Sequence, residues 1–530
     1  MKASRSLAIG AILLVPVLTG AFVVQERRAR DGARLFGQVL AIVSDRFVDS
    51  VDVNALYEKA ARGMLAELRD PYSELYTPKQ LEAFNTNTGG FYGGVGMLIE
   101  DQQGLITVSR VFPHTPAEEA GIREGDRIVG VDTFSTRGWK MDQVSGKLKG
   151  TPGSTVTAKF ARPGVPDPIV ATFTRRVIRI PAVPYAVMLP EKVAYIPVQQ
   201  FSETAAQELA TNLMRLSNEG AKALVLDLRG NGGGYLEQAL EMANMFVPKG
   251  QTLLSVRGRQ GPADVYSSQG EPIAPKIPMV ILTDGYTASA SEIVAGALQD
   301  HDRALILGTT SFGKGLVQTV YQLDGGYAIK LTTAKWYTPS GRSIQKERRL
   351  LDDGSFVEVR PDSVESDSSR RARPKFRSDS GRTVYGGGAI TPDVIVQLDT
   401  ITTPEQQFVR KLASKQQDVY LALYDYAFSM KNSVKPDFTV DASMRDAFFA
   451  ALQKRGVVLD RADYDAARPY IDRILATRIA RLAFGDSIAK KREIGDDAQL
   501  MKALELIKKG RTQREIFAVA SQYHPEKRGK

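Results

Sequence analysis

Residues 190 to 335 alternate between short apolar runs and amphipathic stretches, and this alternation constrains the fold more than any other feature of the chain. The apolar runs are typical of buried strands, and the stretches between them have helical spacing. Strands that alternate with helices in this way predict βαβ units around a buried, largely parallel sheet. The predicted strands cover 192–198, 223–228, 278–282 and 304–307, and the predicted helices cover 205–216, 236–246 and 289–298.

Functional side chains of such sheets gather beyond the carboxyl ends of the strands. Two segments occupy that position here, a glycine-rich run from Asn231 to Gly234 and a run from Tyr286 to Ser291. The second run places Ser289 at the start of a helix, where the dipole and free N–H groups stabilise negative charge. Ser289 and Glu292 also have the spacing of a capping box, which is the structural alternative to a catalytic role.

A hydrolase built on Ser289 would need a general base. The 530 residues contain no cysteine and only three histidines. His301 follows the helix that Ser289 begins, and a helix of about ten residues is ~15 Å long, so the two residues would lie at opposite ends. Lys314 follows 25 residues after Ser289. Because a lysine kept neutral can accept a serine proton, we predict a Ser289–Lys314 pair.

Two other motifs overlap the Lys314 segment, and neither is complete. Residues 308–315 nearly match a phosphate-binding loop, but Gly315 replaces the Ser or Thr that would hold magnesium, and strand-like residues follow. Ser311 and Lys314 have the S-x-x-K spacing of penicillin-binding enzymes, but the partner tripeptides Ser-Asp-Asn and Lys-Thr-Gly do not occur in the chain.

Residues 86–180 have a different, β-rich pattern with glycine-rich turns. The segment from Ala120 to Ile128 and a predicted helix at Met141–Leu148 resemble a PDZ domain. Such a domain binds a peptide C-terminus as an added strand and holds its carboxylate on backbone N–H groups. The resemblance implies that the peptide-binding loop and edge include Tyr92, Gly93, Gly94, Val95, Gly96 and Met97.

A wider set of motifs is similar to the carboxyl-terminal processing, or tail-specific, proteases of the S41 serine peptidase family. The resemblance covers roughly residues 30 to 400, and the combination of motifs is highly specific. The matching stretches are Asp70–Ser73, the PDZ segment, Leu226–Gly234, Ser289–Asp300, Gly313–Gln318 and Pro339–Gln345.

The resemblance implies a multidomain α/β fold. Its βαβ core would be crotonase-like or Clp-protease-like, with an inserted, mostly β PDZ domain and helical N- and C-terminal regions. The expected boundaries are 1–28 for a signal or anchor, 29–85 for an N-terminal helical region, 86–180 for the PDZ domain, 181–403 for the protease core with a flexible insertion at 347–386, and 404–530 for a helical region of unknown role.

The resemblance also implies a role for each matching residue. Ser289 would be the nucleophile, Lys314 the general base and Gln318 the residue that orients the lysine amine. The N–H groups of Gly233 and Ala290 would form the oxyanion hole. Asp300 stands where a further relay carboxylate is sometimes assigned in the family, although the distance argument made for His301 opposes a direct role. No metal or other cofactor is expected.

The N-terminus predicts export. Lys2 and Arg5 precede an uncharged apolar run from Leu7 to Val24, which is typical of a secretory signal or a membrane anchor. The nearest approach to a cleavage pattern is Thr19–Ala21, which is poor, so we favour an anchor on the periplasmic side of a bacterial inner membrane. The formal charge of +10 is modest for this length and favours solubility over nucleic-acid binding.

Two functions remain open on the sequence alone. The first is a serine endopeptidase that cleaves exported proteins near their C-termini after the PDZ domain has bound the tail. The second is a catalytically inactive, membrane-tethered PDZ scaffold. The partners would be proteins or peptides with exposed C-termini. The helical ends could pair with a second copy or pack on their own core.

Overall fold

The computed structural model describes residues 31–102, 104–162, 164–351, 356–358, 372–397 and 402–523. The predicted signal or anchor at 1–28 therefore lies outside the described residues. Within the described part of the chain, no helix is both long enough and apolar enough to cross a membrane. The chain divides into two compact units, Met1–Tyr76 with Val320–Leu331, and Thr77–Thr319 with Thr332–Lys530.

The first unit is small and mainly helical. Its elements are α1 (31–46), α2 (Val53–Ala66) and β1 (Glu74–Tyr76), which pairs antiparallel with residues 328–330. The side chain of Asp52 accepts hydrogen bonds from the first free N–H groups of α2, which fixes where that helix begins. Arg62 of α2 donates to the carbonyl oxygen of Leu75 at 3.1 Å and so ties the helix to β1.

The second unit begins with α3 and a β domain. These elements are α3 (Pro78–Gly89), β2 (Phe91–Gly94), β3 (Met97–Gln102), β4 (Leu105–Val111), α4 (Pro116–Glu119), β5 (Arg127–Val131), β6 (Phe134–Ser135), α5 (Met141–Leu148), β7 (Thr155–Ala161), β8 (Ile169–Thr174) and β9 (Arg176–Arg179). The sheet order is β3-β4-β5-β7-β8, with β6 on β5, while β2 pairs with β9. The predicted peptide-binding strand, β3, therefore lies at an edge of the sheet.

The core of the second unit is the predicted βαβ layer. Its elements are β10 (Val187–Leu189), β11 (Val193–Pro197), α6 (Ala205–Asn218), β12 (Ala223–Asp227), α7 (Leu236–Asn244), β15 (Met279–Thr283), α8 (Ala290–Asp300) and β16 (Leu305–Gly308). A separate sheet contains β13 (Thr252–Gly258), β14 (Asp264–Ser267), β17 (Leu316–Gln322) and β18 (Ala328–Tyr337), and residues 320–331 of the last two strands are counted in the first unit. β11, β12, β15 and β16 pair in parallel, and every residue of these four strands is buried. Burial on both faces explains their nearly continuous apolar sequences.

The insertion after Gln345 contains short strands where it is described. They are β19 (Arg348–Leu350), β20 (Phe356–Glu358), β21 (Lys375–Arg377) and β22 (Thr383–Tyr385), and they pair as β19 with β20 and β21 with β22. β23 (Val394–Ile395) then adds to the core sheet beside β16. The described parts of the predicted flexible insertion thus contain short hairpins, and residues 352–355 and 359–371 lie outside the described part of the chain.

The C-terminal region is helical, as predicted. Its helices are α9 (Thr403–Leu412), α10 (Gln416–Met430), α11 (Ala442–Lys454), α12 (Arg461–Ala466), α13 (Arg468–Phe484), α14 (Asp486–Glu493), α15 (Ala498–Lys509) and α16 (Gln513–Ser521). Helices α9 to α13 enclose an apolar cluster of their own, which includes Phe408, Phe448 and Tyr464.

The expectation that residues 404–530 form one separate region is wrong for the last two helices. Leu500 and Leu506 of α15, with Ile516 of α16, pack on Val225 and Leu305 of the core sheet. An amphipathic helix shows the same apolar spacing whether it covers a sheet or another helix, so the sequence pattern did not distinguish the two. Helices α15 and α16 are therefore part of the core.

Candidate active site

Ser289 lies in a sharp turn between β15 and α8. Its backbone has φ 56° and ψ −116°, a conformation that non-glycine residues rarely adopt. The side chain is half-buried, whereas every residue of α8 that follows is buried. A strained strand-to-helix turn that presents a serine at the end of a parallel strand is also the arrangement of the nucleophile in α/β hydrolases.

Hydrogen bonds from neighbouring strand ends hold this turn in place. Asp284 accepts hydrogen bonds from the N–H groups of Tyr286 and Thr287, each at 3.0 Å, and from Gly230 N–H. The Thr287 hydroxyl donates to the carbonyl oxygen of Leu228 at 2.9 Å. The turn that carries Ser289 is therefore fastened to the glycine-rich loop after β12.

Glu292, one turn into α8, joins the Ser289 turn to the Lys314 loop. Its Oε2 accepts hydrogen bonds of 2.8 Å from the backbone N–H groups of both Ser289 and Lys314. Its Oε1 accepts from Gly313 N–H at 2.7 Å and from the Ser311 hydroxyl at 2.5 Å. Because the Ser289 and Lys314 nitrogens share one acceptor, they are at most twice 2.8 Å apart.

The environment of Glu292 is fully buried, and two influences on its pKa oppose each other. Burial raises the pKa of the Glu292 carboxyl above its ordinary value, while the Ser311 hydroxyl and the three backbone N–H groups act to lower it. All four neighbours donate, which is the pattern that an ionised carboxylate accepts. The capping-box interpretation of Glu292 was correct but incomplete, because the same carboxylate also organises the loop of the predicted base.

A sequence signal for Glu292 did exist. Most other residues of α8 are apolar or small, including Ile293, Val294 and Leu298. Such a helix has little polar surface to expose, so it is expected to be buried, and a buried carboxylate must have partners. Those partners come from a segment about twenty residues away, which a capping-box pattern does not identify.

The backbone around Lys314 is bonded on all sides. The Lys314 carbonyl oxygen accepts from the indole N–H of Trp336 at 3.2 Å. Gly315 N–H donates to the Gln345 side chain at 2.8 Å. The Gly315 carbonyl oxygen accepts from the backbone N–H of Trp336 at 3.0 Å. Lys314 itself is half-buried and precedes β17, so the expectation of a strand rather than a helix after this loop is confirmed.

The two residues predicted to form the oxyanion hole lie beside Ser289. A Cβ on Gly233 would come within 2.9 Å of the Ser289 Cβ and 3.0 Å of the Ala290 nitrogen, and Gly233 has φ 102°, so only glycine fits. Ala290 is the first residue of α8, where N–H groups have no partner inside the helix. Gly233 N–H, however, donates to the Asn231 side chain at 2.9 Å. For Gly233 N–H to donate to an oxyanion, its hydrogen bond to Asn231 would have to break.

Gln318 lies on β17, four residues after Lys314. Its side-chain nitrogen donates to the Thr332 hydroxyl at 3.4 Å, and the side chain is half-buried. Its predicted role in orienting the lysine amine stays a prediction.

The suggested relay role of Asp300 stays a prediction, and the position of this residue does not support it. Asp300 ends α8, a helix of 11 residues that Ser289 precedes, so about 15 Å separates them. Its carboxylate pairs with the buried Arg342 guanidinium at 2.7 Å and accepts from Ser340 N–H at 3.0 Å. His301 lies at the same end, where its ring contacts the Thr252 carbonyl oxygen at 2.7 Å. Neither side chain can exchange a proton with Ser289 from there.

A charged cluster at the end of β12 links the glycine-rich loop to the C-terminal helices. Arg229 donates to Asp227 at 2.6 Å and to Asp497 at 2.8 Å, and also to the side chain of Gln499. Burial acts to lower the pKa of the Arg229 guanidinium, but the two carboxylates raise it above its ordinary value. Burial likewise acts to raise the pKa of Asp497, and hydrogen bonds and charge from Arg229, with Lys490, hold it well below its ordinary value. Sequence analysis did not identify Asp497.

The predicted peptide-binding loop has a backbone that requires glycine. Gly96 has φ 90°, and a Cβ there would come within 2.2 Å of the Thr115 side chain. Burial raises the pKa of the Tyr92 hydroxyl to about 12, while hydrogen bonds from the backbone of Gly96 and Met97 act against that shift. The hydroxyl of Tyr92 thus lies close to the backbone of Gly96, which belongs to the loop that the resemblance assigns to a tail carboxylate.

Of the other residues in that segment, Gly93 and Gly94 end β2, and Val95 lies between β2 and β3. Helix α5 packs beside β3 and β5. The structure therefore brings the predicted loop, edge strand and helix into one domain. Within the described residues, no group of three or more His, Asp or Glu side chains is placed to hold a metal ion.

Comparisons with known families identify three segments of the chain. Residues 192–362 match the model of peptidase family S41, residues 107–162 match a PDZ domain, and residues 24–79 match the activating protease CtpB N-terminal domain. These matches agree with the predicted protease core, the PDZ domain and the N-terminal helical region.

The chain is also similar to individual known proteins. The chain is 36% identical over 315 residues to a carboxy-terminal-processing protease of Bartonella bacilliformis, covering 58% of this chain and 72% of that one. It is 35% identical over 305 residues to carboxy-terminal processing protease CtpA of Bacillus subtilis, covering 58% of this chain and 65% of that one. Among solved structures, the photosystem II D1 C-terminal processing protease is 33% identical with a TM-score of 0.35, covering 62% of this chain and 85% of that one.

Proposed function

We propose that this chain, which belongs to the carboxyl-terminal processing proteases of peptidase family S41, cuts its substrates with Ser289 as nucleophile and Lys314 as general base. The observation that carries the proposal is the shared acceptor Glu292, which holds the backbone N–H groups of both residues at 2.8 Å. A carboxylate that fixes a strained serine turn and a lysine loop together is an arrangement for bringing two side chains into reach of each other.

The proposal assigns a residue to each step of the reaction. Lys314, in its neutral form, takes the proton of the Ser289 hydroxyl as the oxygen attacks the scissile carbonyl. The N–H groups of Ala290 and Gly233 stabilise the developing oxyanion, once Gly233 turns from Asn231. As the peptide bond breaks, the protonated Lys314 gives its proton to the nitrogen of the leaving amine. Water then attacks the acyl-enzyme and gives its proton to Lys314, which returns it to the Ser289 oxygen as the acyl group leaves. Gln318 would hold the lysine amine in position.

The substrate would be presented by its C-terminus. β3 is an edge strand, and a peptide can add to its free side by backbone hydrogen bonds. The loop from Tyr92 to Gly96 would bind the terminal carboxylate. The apolar run from Leu7 to Val24, behind basic residues, supports export of the chain to the periplasmic side of an inner membrane, and therefore exported substrates.

Labelling and cleavage assays test the dyad together. Unchanged chain, Ser289→Ala and Lys314→Ala are treated with a fluorophosphonate and, separately, with an unfolded protein that has an apolar C-terminus. Only the unchanged chain should label at Ser289 and cleave. Exposed Lys335→Ala is the control for loss of a lysine, and His301→Ala controls for a histidine base. Both controls should remain active.

Two outcomes would contradict the proposal. Full cleavage by either dyad variant would show that another pair of groups performs the reaction. Binding of the tail by the unchanged chain with neither labelling nor turnover would support the second candidate, a PDZ scaffold. Amidation of the substrate C-terminus should weaken cleavage, because it removes the carboxylate that the PDZ loop would bind.

A further inference from the structure

The loop that carries Lys314 is held from its other side by Arg348, the first residue of β19. One guanidinium nitrogen of Arg348 donates to the Gly313 carbonyl oxygen at 3.1 Å, and the other donates to the Phe312 carbonyl oxygen. The guanidinium also lies 3.8 Å from the centre of the Phe312 ring. Arg348 belongs to the insertion at 347–386, which lies outside the catalytic motifs.

Arg348 and Glu292 bind opposite ends of the same two peptide groups. In the first group, the Phe312 carbonyl oxygen binds Arg348 and Gly313 N–H binds Glu292 at 2.7 Å. In the second, the Gly313 carbonyl oxygen binds Arg348 and Lys314 N–H binds Glu292 at 2.8 Å. The oxygen and hydrogen of a trans peptide point in opposite directions, so a cation on one side and a carboxylate on the other both align with the peptide dipole.

The position of these two peptide groups determines where the backbone nitrogen and Cα of Lys314 lie. Gly313 has φ 83°, and as a glycine it can adopt many other backbone conformations. A rotation at Gly313 would move the Lys314 Cα and the amine at the end of its side chain. Fixing both peptide groups removes that freedom at the residue directly before the base.

We infer that Arg348 is a positioning residue for the general base: it acts through the Phe312 and Gly313 carbonyl oxygens to keep Lys314 in reach of Ser289. This inference rests on the proposed Ser–Lys mechanism. It assigns the insertion a part in the reaction, because its first strand supplies the cation that completes the clamp on the loop. The alternative is that Arg348 only attaches the insertion to the core.

The test compares Arg348→Ala, Arg348→Lys and Arg377→Ala with the unchanged full chain. Arg377 lies on β21 in the same insertion and donates to Gly381 and Thr383 of its own hairpin, so it is matched in charge and location. The rate of fluorophosphonate labelling, kcat and KM for a tail peptide, and Tm are measured for each.

Arg348→Ala should lower both the labelling rate and kcat between about 10- and 100-fold, the effect of a small misplacement of a reacting group. KM and Tm should stay unchanged. Arg348→Lys should recover part of the rate, because an ammonium keeps the charge but does not bind two carbonyl oxygens as a planar fork. Arg377→Ala should behave like the unchanged chain.

Three results would overturn the role of Arg348. A normal labelling rate and a normal kcat in Arg348→Ala would show that Arg348 does not position Lys314, and the proposed dyad would be unaffected. A loss of Tm with a normal rate well below that temperature would show an attachment role alone. Absence of labelling in the unchanged chain would overturn the dyad itself and the role of Arg348 with it.

Discussion

Ser289 and Lys314 are joined through a single atom, because the backbone N–H of each donates to Glu292 Oε2 at 2.8 Å. The two residues are 25 positions apart in the chain and lie in different loops. The carboxylate that joins them is fully buried, and it also accepts hydrogen bonds from Gly313 and Ser311. The backbone positions of the proposed nucleophile and the proposed base are therefore linked through one side chain, to which the proposal assigns no chemical step.

The first prediction concerns that carboxylate. Glu292→Gln keeps the shape but turns an N–H₂ group towards donors, so it should abolish labelling at Ser289 and lower the free energy of unfolding by about 3 kcal/mol. The matched control is Glu405→Gln, since Glu405 is also buried and caps a helix by accepting from Thr402 N–H, far from Ser289 in sequence. It should destabilise the chain but leave labelling normal. Normal labelling in Glu292→Gln would contradict the prediction.

The second prediction concerns pH and the Arg229–Asp497 pair. The pKa of Asp497 is lower in the folded chain, so its stabilising effect is present above the ordinary value of about 3.9 and declines as the pH falls below it. Breaking this mostly buried pair by Asp497→Asn should cost about 3 kcal/mol at pH 7. In urea unfolding at several pH values, the difference from unchanged chain should be constant from pH 7 to 5 and shrink below pH 4.

A difference that instead grew below pH 4 would have the wrong sign for a depressed pKa. Asp496→Asn is the neighbouring control, because its carboxylate is absent from the hydrogen bonds that Arg229 makes in the described structure. It should change stability little at any of these pH values.

The third prediction concerns the last helices. Leu506→Ala on α15 removes a buried side chain that packs on the core sheet, so it should lower the free energy of unfolding by about 2–5 kcal/mol. Met501→Ala on the same helix is the control, since Met501 is 45% exposed, and it should cost much less. Equilibrium unfolding of both variants, followed by a spectroscopic signal from the protease core, would measure the two free energies. Equal effects would mean that α15 does not cover the sheet in solution.

The fourth prediction concerns Tyr92 in the PDZ loop. Tyr92→Phe removes the hydroxyl that receives hydrogen bonds from the backbone of Gly96 and Met97, which leaves those N–H groups available to a carboxylate. The Kd for a peptide with an apolar C-terminus should fall by a factor of about five, corresponding to about 1 kcal/mol. Titration calorimetry would measure it. The amidated peptide should bind weakly to both forms, and a weaker free-acid affinity in Tyr92→Phe would refute the idea.

Local patterns in the sequence were sufficient for the βαβ core. Strand and helix periodicities gave the βαβ core, because a strand buried on both faces must be apolar along its length. The Met141–Leu148 helix was predicted with the same bounds that the structure shows. The position of Ser289 at a helix start also followed from local residues, since capping depends on residues only three apart.

What the sequence by itself determined, then, was the kind of element at each position and the residue types that could react. The tertiary structure decided the partners. Glu292 accepts hydrogen bonds from the loop that follows β16 in the chain. Asp300 forms an ion pair with Arg342. Helix α15 packs on the core sheet and not on the other C-terminal helices of the apolar cluster. Hydrogen bonds and apolar contacts between segments distant in sequence depend on which surfaces pack together, and periodicity along one segment does not contain that information.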